Sequence, residues 1–343
     1  MSPRATRGVL AAEGARAAPT GALEWGVVRT WTGLDALPGD LGPTVVTLGN
    51  FDGVHRGHRA VLERVVVEAA ARGATPVAVT FDPHPLAVLA PDRAPSAVTS
   101  LAERVGLLED TGIAGVLVLT FTRELAAQTP EEFVAEVFVG ALAARAVVVG
   151  RDTRFGVRNS GNVDTLRELG AAYGFDVVVL DDVGVGHRWS STEVRALLAE
   201  GDVVTAATLL GRPHRVTGQV VHGDHRGRLL GFPTANLSQD AVGFIPADGV
   251  YAGWLVRLDA APEDPERRLP AAVSIGTNPT FDGLQRRVEA YVLDRDDLEL
   301  YDENVAIDFV ERLRPTLKFD SVDELITTMH RDCARCREIL LHR

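Results

Sequence analysis

Lysine is nearly missing from this 343-residue chain: of 35 Lys and Arg residues only Lys318 is a lysine, and it lies in Leu-Lys-Phe-Asp. A Gly-x-x-x-x-Gly-Lys-[Ser/Thr] phosphate loop is therefore excluded, and no Gly-x-Gly-x-x-Gly fingerprint replaces it. Phosphate chemistry here must use backbone amides, histidine, arginine, hydroxyls and metal. Cysteine is as scarce. Cys333 and Cys336 extend the apolar helical stripe of Val322, Leu325, Ile326 and Met329, so they read as core residues and not as a metal or redox pair, although His330 and His342 are near. Two cysteines make no disulfide framework and fit a reducing, cytoplasmic compartment. No apolar run approaches the ~18 residues of a membrane span. No Lys/Arg block exists and the formal charge is −12, which disfavours nucleic acid and anionic membranes as partners. Residues 1–24 are rich in Ala, Arg and Gly, but Glu13 and Arg16 interrupt any apolar core. The segment reads as a disordered extension or a misassigned start, not a secretory signal.

What is present is an ordinary globular composition, 46% hydrophobic and 24% charged, in a chain long enough for two domains. From Val45 to about Leu180, Val/Leu-rich strands (Val45 to Leu48, Val77 to Phe81, Val116 to Phe121, Ala146 to Gly150, Val177 to Leu180) alternate with helical patterns. Ser100/Glu103 and Thr129/Glu132 supply capping boxes, and Gly73 and Gly174 supply C-caps. The pattern predicts an α/β domain with a parallel sheet covered on both faces. After two short helical patterns, Ser191 to Glu200 and Asp202 to Leu210, the character changes at Gly211-Arg212-Pro213. Turn-separated strands then predict an antiparallel barrel or sandwich, closed by a helix from Ser321.

Four motifs stand out in the first half, three of them at strand ends, where α/β sheets bind ligands, and the fourth at a helix start. The densest is Gly49-Asn50-Phe51-Asp52-Gly53-Val54-His55-Arg56-Gly57-His58, a strand, a glycine turn and a helix start, the arrangement that cradles anions. His55 and His58 can donate hydrogen bonds to phosphate, and Gly57 between them would let a ligand approach the backbone. A divalent metal on the histidines and Asp52 is the alternative, but no third ligand of the usual kind stands on the same element. The others are Phe81-Asp82-Pro83-His84-Pro85, a rigid loop; Gly150-Arg151-Asp152-Thr153-Arg154-Phe155-Gly156; and His187-Arg188-Trp189-Ser190-Ser191-Thr192-Glu193-Val194-Arg195. In the last, hydroxyls and helix-terminal amides beside arginines suit a triphosphate.

In the second half, Gly223 to Arg228 make a glycine-flanked basic loop, followed by Gly231-Phe232-Pro233-Thr234-Ala235-Asn236. Thr234 and Asn236 are two apart, so on extended backbone both face one way, a pair of hard oxygens suited to Mg²⁺. Glu289 lies on the face opposite Val288, Ala290 and Val292, which fits either a barrel lumen site or solvent, and the pattern alone favours solvent.

These strings, with Gly-Arg-Pro, Asp-Gly-Val-Tyr-Ala, Gly-Thr-Asn-Pro-Thr-Phe and Val-Glu-Ala-Tyr-Val-Leu-Asp in the same order, resemble the bacterial bifunctional riboflavin kinase/FAD synthetase family from about Trp25 onward. The resemblance implies a Rossmann-like nucleotidylyltransferase domain at residues 25–202. A linker helix and a six-stranded antiparallel barrel, the riboflavin kinase, would follow at residues 203–343. It implies conversion of riboflavin to FMN and then FAD, with ATP and Mg²⁺ at both steps and a homo-oligomer left open. His55 and His58 would stabilise the transferring phosphates, with Gly49, Phe51, Asp52, Asp152, Arg188, Ser191 and Thr192 around ATP and Pro83 and Pro85 against the flavin. In the barrel, Glu289 would be the general base and Thr234 and Asn236 the metal ligands. Gly223 and Arg228 would meet ATP, and Arg314 a flavin-closing flap. Asp302 follows Tyr301 where the family usually has glycine, and Arg56 stands where an aliphatic is common. The alternatives are a single-activity nucleotidylyltransferase of the same superfamily, or a flavin-binding regulator derived from it.

Overall fold

The computed structural model describes residues 28–181, 189–223, 230–280 and 283–341. The extension at 1–24, His187, Arg188, Arg228 and His342 lie outside the described residues.

The valine-rich runs form a parallel sheet of β1 (Arg29–Thr32), β2 (Thr44–Leu48), β3 (Thr75–Asp82), β4 (Gly115–Thr120), β5 (Ala144–Gly150) and β6 (Asp176–Leu180), in the order β1-β4-β3-β2-β5-β6. Between the strands run α1 (Arg56–Arg72), α2 (Pro85–Leu89), α3 (Leu101–Glu109), α4 (Arg123–Ala127), α5 (Pro130–Phe133) with a π-helical continuation at Val134–Ala141, and α6 (Val163–Tyr173). Their limits follow the sequence signals: Ser100 Oγ accepts the Glu103 amide, Thr129 and Glu132 form a reciprocal capping box, and Gly73 and Gly174 take left-handed φ of 59° and 83° at C-caps. Both faces are covered. Val45, Ala78, Val116 and Ala146 pack on Leu62, Val65 and Leu108, while Val46, Val77, Leu117 and Val147, each one step along, pack on Phe133, Phe138 and Leu166. From β2 the chain builds β3 and β4 to one side and β5 and β6 to the other, so the crevice beyond β2 and β5 is the topological switch point.

The edge strand β1 is absent from the sequence reading because four residues, Arg-Thr-Trp-Thr, carry too little periodicity. Tertiary packing makes it: a Cβ on Gly115 would come within 2.5 Å of the Trp31 ring, so this glycine is what lets Trp31 lie flat on the sheet edge.

After α7 (Ser191–Glu200) and α8 (Val203–Leu210), six antiparallel strands close into a barrel: β7 (His214–Val221), β8 (Ala235–Leu237), β9 (Gly249–Arg257), β10 (Arg268–Thr280), β11 (Gly283–Val292) and β12 (Asn304–Arg314), in the order β10-β11-β8-β7-β12-β9. Closure leaves no edge to protect. The core of Val216, Leu255, Val273, Val288 and Ile307 is shared with Val194 and Leu198 of α7, Leu210 of α8, and Val98 of the first domain, so the helices weld the two domains. The terminal helix α9 (Val322–Leu341) lays Cys333, Cys336 and Ile339 against Phe232, Ala252 and Leu293 outside the barrel. Burial pushes the Cys333 and Cys336 thiols up to about 11 and about 12, which keeps both protonated as core groups.

His214, 1% exposed, sits at the start of β7 with Nε2 2.6 Å from the Phe244 carbonyl. Burial lowers its pKa from 6.5 to about 4. The folded-state value lies below the unfolded one, so its contribution is complete above the unfolded pKa and is lost as pH falls toward the folded one. Urea denaturation should therefore show wild type losing up to about 3 kcal/mol relative to His214→Leu between pH 7 and pH 4.5. A pH-independent difference would show that His214 does not contribute in this way.

Candidate functional site

The loop from Gly49 to His58 joins β2 to α1 at the switch point. His55 is the N-cap of α1. Its Nδ1 accepts the His58 amide at 3.3 Å, which places the neutral ring's proton on Nε2, a donor for an anion at the helix terminus. The two imidazoles stack with centroids 3.7 Å apart, and the Phe51 ring meets His58 edge-on at 5.3 Å. Phe51 and Val54 hold φ of 48° and 38°, positions that few side chains adopt and that only a well-braced loop retains. The small residues serve this packing. A Cβ on Gly57 would lie 3.1 Å from the His55 ring, and one on Gly49 would lie 3.1 Å from the Phe51 ring. The space a side chain at Gly57 would need therefore adjoins the His55 ring.

Three loop carbonyls are held by side chains from three different elements. Asn50 O accepts from Arg104 of α3 at 2.8 Å, Asp52 O from Ser191 of α7 at 2.8 Å, and Gly53 O from Arg212 at 2.9 Å. The Asp52 carboxylate, buried, accepts from the Val98 and Thr99 amides at 2.9 and 3.1 Å and pairs with Arg195 at 2.7 Å. These contacts make it a brace for the loop. Asp52→Ala should cost about 3–5 kcal/mol in urea unfolding, because Arg195 and two amides lose their partner inside the protein. A cost near zero would contradict the bracing role.

The other motifs arrive beside this loop. Asp82 and Pro83 lie exposed at the end of β3. His84 caps α2 by accepting the Leu86 amide at 3.1 Å, and the Asn50 side-chain amide stands 3.4 Å from its Nε2. Burial, with the positive charges of Arg195 and Arg104, lowers the His84 pKa and favours the neutral ring. Pro85 opens α2, and Leu86 and Leu89 beside it are exposed. Asp152 is exposed just beyond β5, across the switch point from the histidines. The N-terminus of α7, capped by Ser190, presents an exposed Thr192, and Arg56 stacks 5.9 Å over Trp189.

In the barrel, β8 pairs with β11 so that Asn236 lies opposite Glu289, and β10 places Ser274 opposite Glu289 on its other side. Directly opposed residues share a face. Val288 and Ala290 go into the core, while Glu289, partly buried, lines a cavity of about 460 Å³ with Thr234, Asn236, Gly223, Arg287 and Thr316. The solvent-face reading of Glu289 is corrected: the cavity wall, which a period-two pattern cannot reveal, shelters it. Asn236 Nδ2 donates to the Thr234 carbonyl at 3.1 Å and hydroxyl at 3.3 Å, turning the amide oxygen away from Thr234. A Cβ on Gly223 would come within 2.6 Å of that amide, so the glycine is required for close approach. Asp302 takes φ of 63°, a left-handed value that aspartate tolerates where the family prefers glycine.

Comparison with known proteins accounts for both halves. A family model described as FAD synthetase matches residues 38–193 and one described as riboflavin kinase matches residues 210–340. A bifunctional riboflavin kinase/FMN adenylyltransferase of Escherichia coli (strain K12) is 38% identical over 295 residues, covering 86% of this chain and 92% of its own length. The chain belongs to the bifunctional riboflavin kinase/FMN adenylyltransferase family. Proteins of the same description from Pseudomonas fluorescens and Listeria monocytogenes are each 36% identical, covering 86% and 84% of this chain and 92% and 90% of their own lengths. A crystal structure from Streptococcus pneumoniae, described as a macrolide-efflux protein, shares the architecture with a TM-score of 0.79 at 30% identity, covering 90% of this chain and 99% of that one. No helix among the described residues is long and apolar enough to cross a membrane.

Within this family member Ser191 at the start of α7 bonds the loop that carries His55 and His58, Asp152 follows the neighbouring strand β5, and the barrel gathers Thr234, Asn236 and Glu289 on one cavity wall. Arg314 is not brought to that wall: it forms a two-pronged pair with Asp332 of α9, at 2.7 Å from Nη2 and 3.0 Å from Nε, and Thr316, two residues on, lines the cavity instead. Sequence reasoning passed over Arg104, Ser274, Arg287 and Thr316. Arg104 had left a signal, since a charged residue on α3 three positions after Leu101 occupies an apolar-stripe position.

Proposed function

We propose that the two domains run two consecutive ATP-dependent steps: the barrel transfers the γ-phosphoryl group of ATP to riboflavin, giving FMN, and the sheet domain transfers the adenylyl group of a second ATP to FMN, giving FAD and pyrophosphate. The observation that carries this reading is the chemical difference between the sites. An alcohol must lose a proton to attack phosphorus, and the barrel cavity holds a carboxylate, Glu289, beside two hard oxygens. The FMN phosphate is already an anionic nucleophile and needs no base. At the histidine loop the Asp52 carboxylate is engaged by Arg195 and two amides, and the loop presents two imidazoles and a helix N-terminus, groups that stabilise negative charge.

In the adenylylation step His55 Nε2–H and His58 stabilise the phosphates as negative charge shifts to the departing pyrophosphate. Asp152 and Thr192 hold the ATP across the switch point, and the exposed Pro83 with the half-buried Pro85 forms the ledge on which the flavin packs. In the kinase step Glu289 accepts the proton of the flavin's terminal hydroxyl, and Gly223 admits ATP against Asn236. The Thr234 hydroxyl and, once the Asn236 amide turns over from its hydrogen bonds to Thr234, the Asn236 amide oxygen would suit Mg²⁺, a hard cation that prefers oxygen, and the ion would neutralise phosphate charge. Buried, protonated cysteines and the use of ATP fit the cytoplasm. Neither site has an evident part in exporting a macrolide. The test is to incubate the wild-type chain with riboflavin, ATP and Mg²⁺ and to resolve the flavins by chromatography. FMN should form first and FAD after it, with ADP matching the first step and pyrophosphate the second. A chain that forms no FMN does not fit the kinase assignment.

A further inference from the structure

We infer that Arg212, in the Gly211-Arg212-Pro213 junction that leads into the barrel, is a positioning residue for adenylyl transfer in the other domain, holding the histidine loop through Gly53 with Glu103 as its charge partner. The inference rests on the reading that adenylyl transfer occurs at that loop.

The geometry is specific. Arg212 Nη1 donates to the Gly53 carbonyl at 2.9 Å, and Nη2 lies 3.8 Å from Glu103 Oε1. Arg212 and Glu103 are 20% and 13% exposed, so screening by water is small. Gly53 is two residues from His55 and has φ of 79°. A Cβ there would press on Val98 at 3.1 Å and on Leu210, the last residue of α8, at 3.3 Å. The Gly53 amide donates to Thr99 Oγ1 at 3.1 Å, so both peptide faces of this residue are fixed, one by α3's leading segment and one by the junction. Arg104 and Ser191 hold Asn50 and Asp52 from within the sheet domain and α7. Arg212 is the brace that comes from the barrel side of α8, so the two catalytic units share a structural part.

Glu103 gives this brace a pH dependence. Its Oε2 is buried and meets no hydrogen-bond donor among the described residues, and burial raises its pKa to about 7. Arg212 and Arg215 favour its charged form, Asp308 and Asp52 oppose it, and Arg59 acts on Arg212. When Glu103 ionises, Arg212 gains a counter-charge that fixes the guanidinium against Gly53. When Glu103 is protonated, the buried cation has none from that side and its hold on the loop loosens.

The experiment measures FAD formation from supplied FMN and FMN formation from riboflavin, on the full chain, for wild type, Arg212→Gln, Arg212→Lys and Glu103→Gln. Misplacing catalytic groups by about an ångström lowers the rate by about 10²-fold. Arg212→Gln should therefore lower kcat for FAD formation on that order, with KM for FMN and ATP little changed and FMN formation intact. Arg212→Lys, which keeps the charge but cannot span both partners, should lose less. The ratio of wild-type to Glu103→Gln kcat for FAD formation should rise as pH passes about 7. Wild-type FAD formation in Arg212→Gln, parallel loss of both reactions in both Arg212 variants, or a flat pH ratio would overturn the inference. A wild-type chain that makes no FAD removes the adenylyl-transfer reading as well, which separates the two failures.

Discussion

Glu289→Gln stops FMN formation from riboflavin, with a fall of about 10²–10⁴-fold in kcat, while FMN supplied from outside is still converted to FAD at the wild-type rate. Glutamine keeps the shape and hydrogen-bonding reach of the side chain but cannot accept the hydroxyl proton. The substitution changes no buried core residue, since Val288 and Ala290 on either side of Glu289 are the ones packed there. The selectivity follows from distance in the fold: among the described residues, none of the sheet domain lines the cavity that holds Glu289. Chromatographic separation of the flavins, with riboflavin or FMN as starting material, checks both halves. A variant that phosphorylates riboflavin normally would exclude Glu289 as the base.

His58→Ala has the mirror effect, accumulating FMN and lowering FAD formation by about 10²–10³-fold, the usual cost of removing one preorganised donor from a developing negative charge. The loss should fall on kcat more than on KM, because His58 meets the phosphates most strongly as charge moves to the leaving group. Removing the imidazole also unstacks His55, 3.7 Å away, so the measured loss reports the pair. Substitution of Phe51, buried with its edge toward His58, should reproduce a weaker version by displacing the ring. Steady-state kinetics on supplied FMN provide the check, and a KM effect alone would argue for simple ground-state binding.

The fold was legible wherever one physical signal dominated. Alternating Val/Leu strands and helices gave the parallel sheet, because a strand buried on both faces has to be apolar at every position. Glycines and capping residues marked helix ends within a residue or two. Short elements were not legible. β1 exists through Trp31 on Gly115, and β8, three residues long, through its pairing with β11 and β7. β10 runs from Arg268 to Thr280, through Pro270 and beyond Gly276, residues at which a local reading ends a strand. For the sites, the residue types were legible and their employment was not. The sequence did not show that Asp52 braces the loop through Arg195, that the His55 ring adjoins Gly57, or that Glu289 lines a cavity. Two of these turn on residues distant in sequence, Arg195 and Asn236 on β8, and the third on the fold of the loop that sets the His55 ring beside Gly57. Arg314 shows the same limit, since Asp332 on α9 pairs with it.

The central claim is that one chain holds two independent sites working in series on flavin, and the most direct measurement mixes two crippled proteins. Glu289→Gln alone, given riboflavin, ATP and Mg²⁺, should yield neither FMN nor FAD at appreciable rates, and His58→Ala alone should stop at FMN. Combined in one vessel they should make FAD, because FMN released by the second is adenylylated by the first. If the mixture makes no more FAD than its components while both variants remain folded, the two-site account is contradicted.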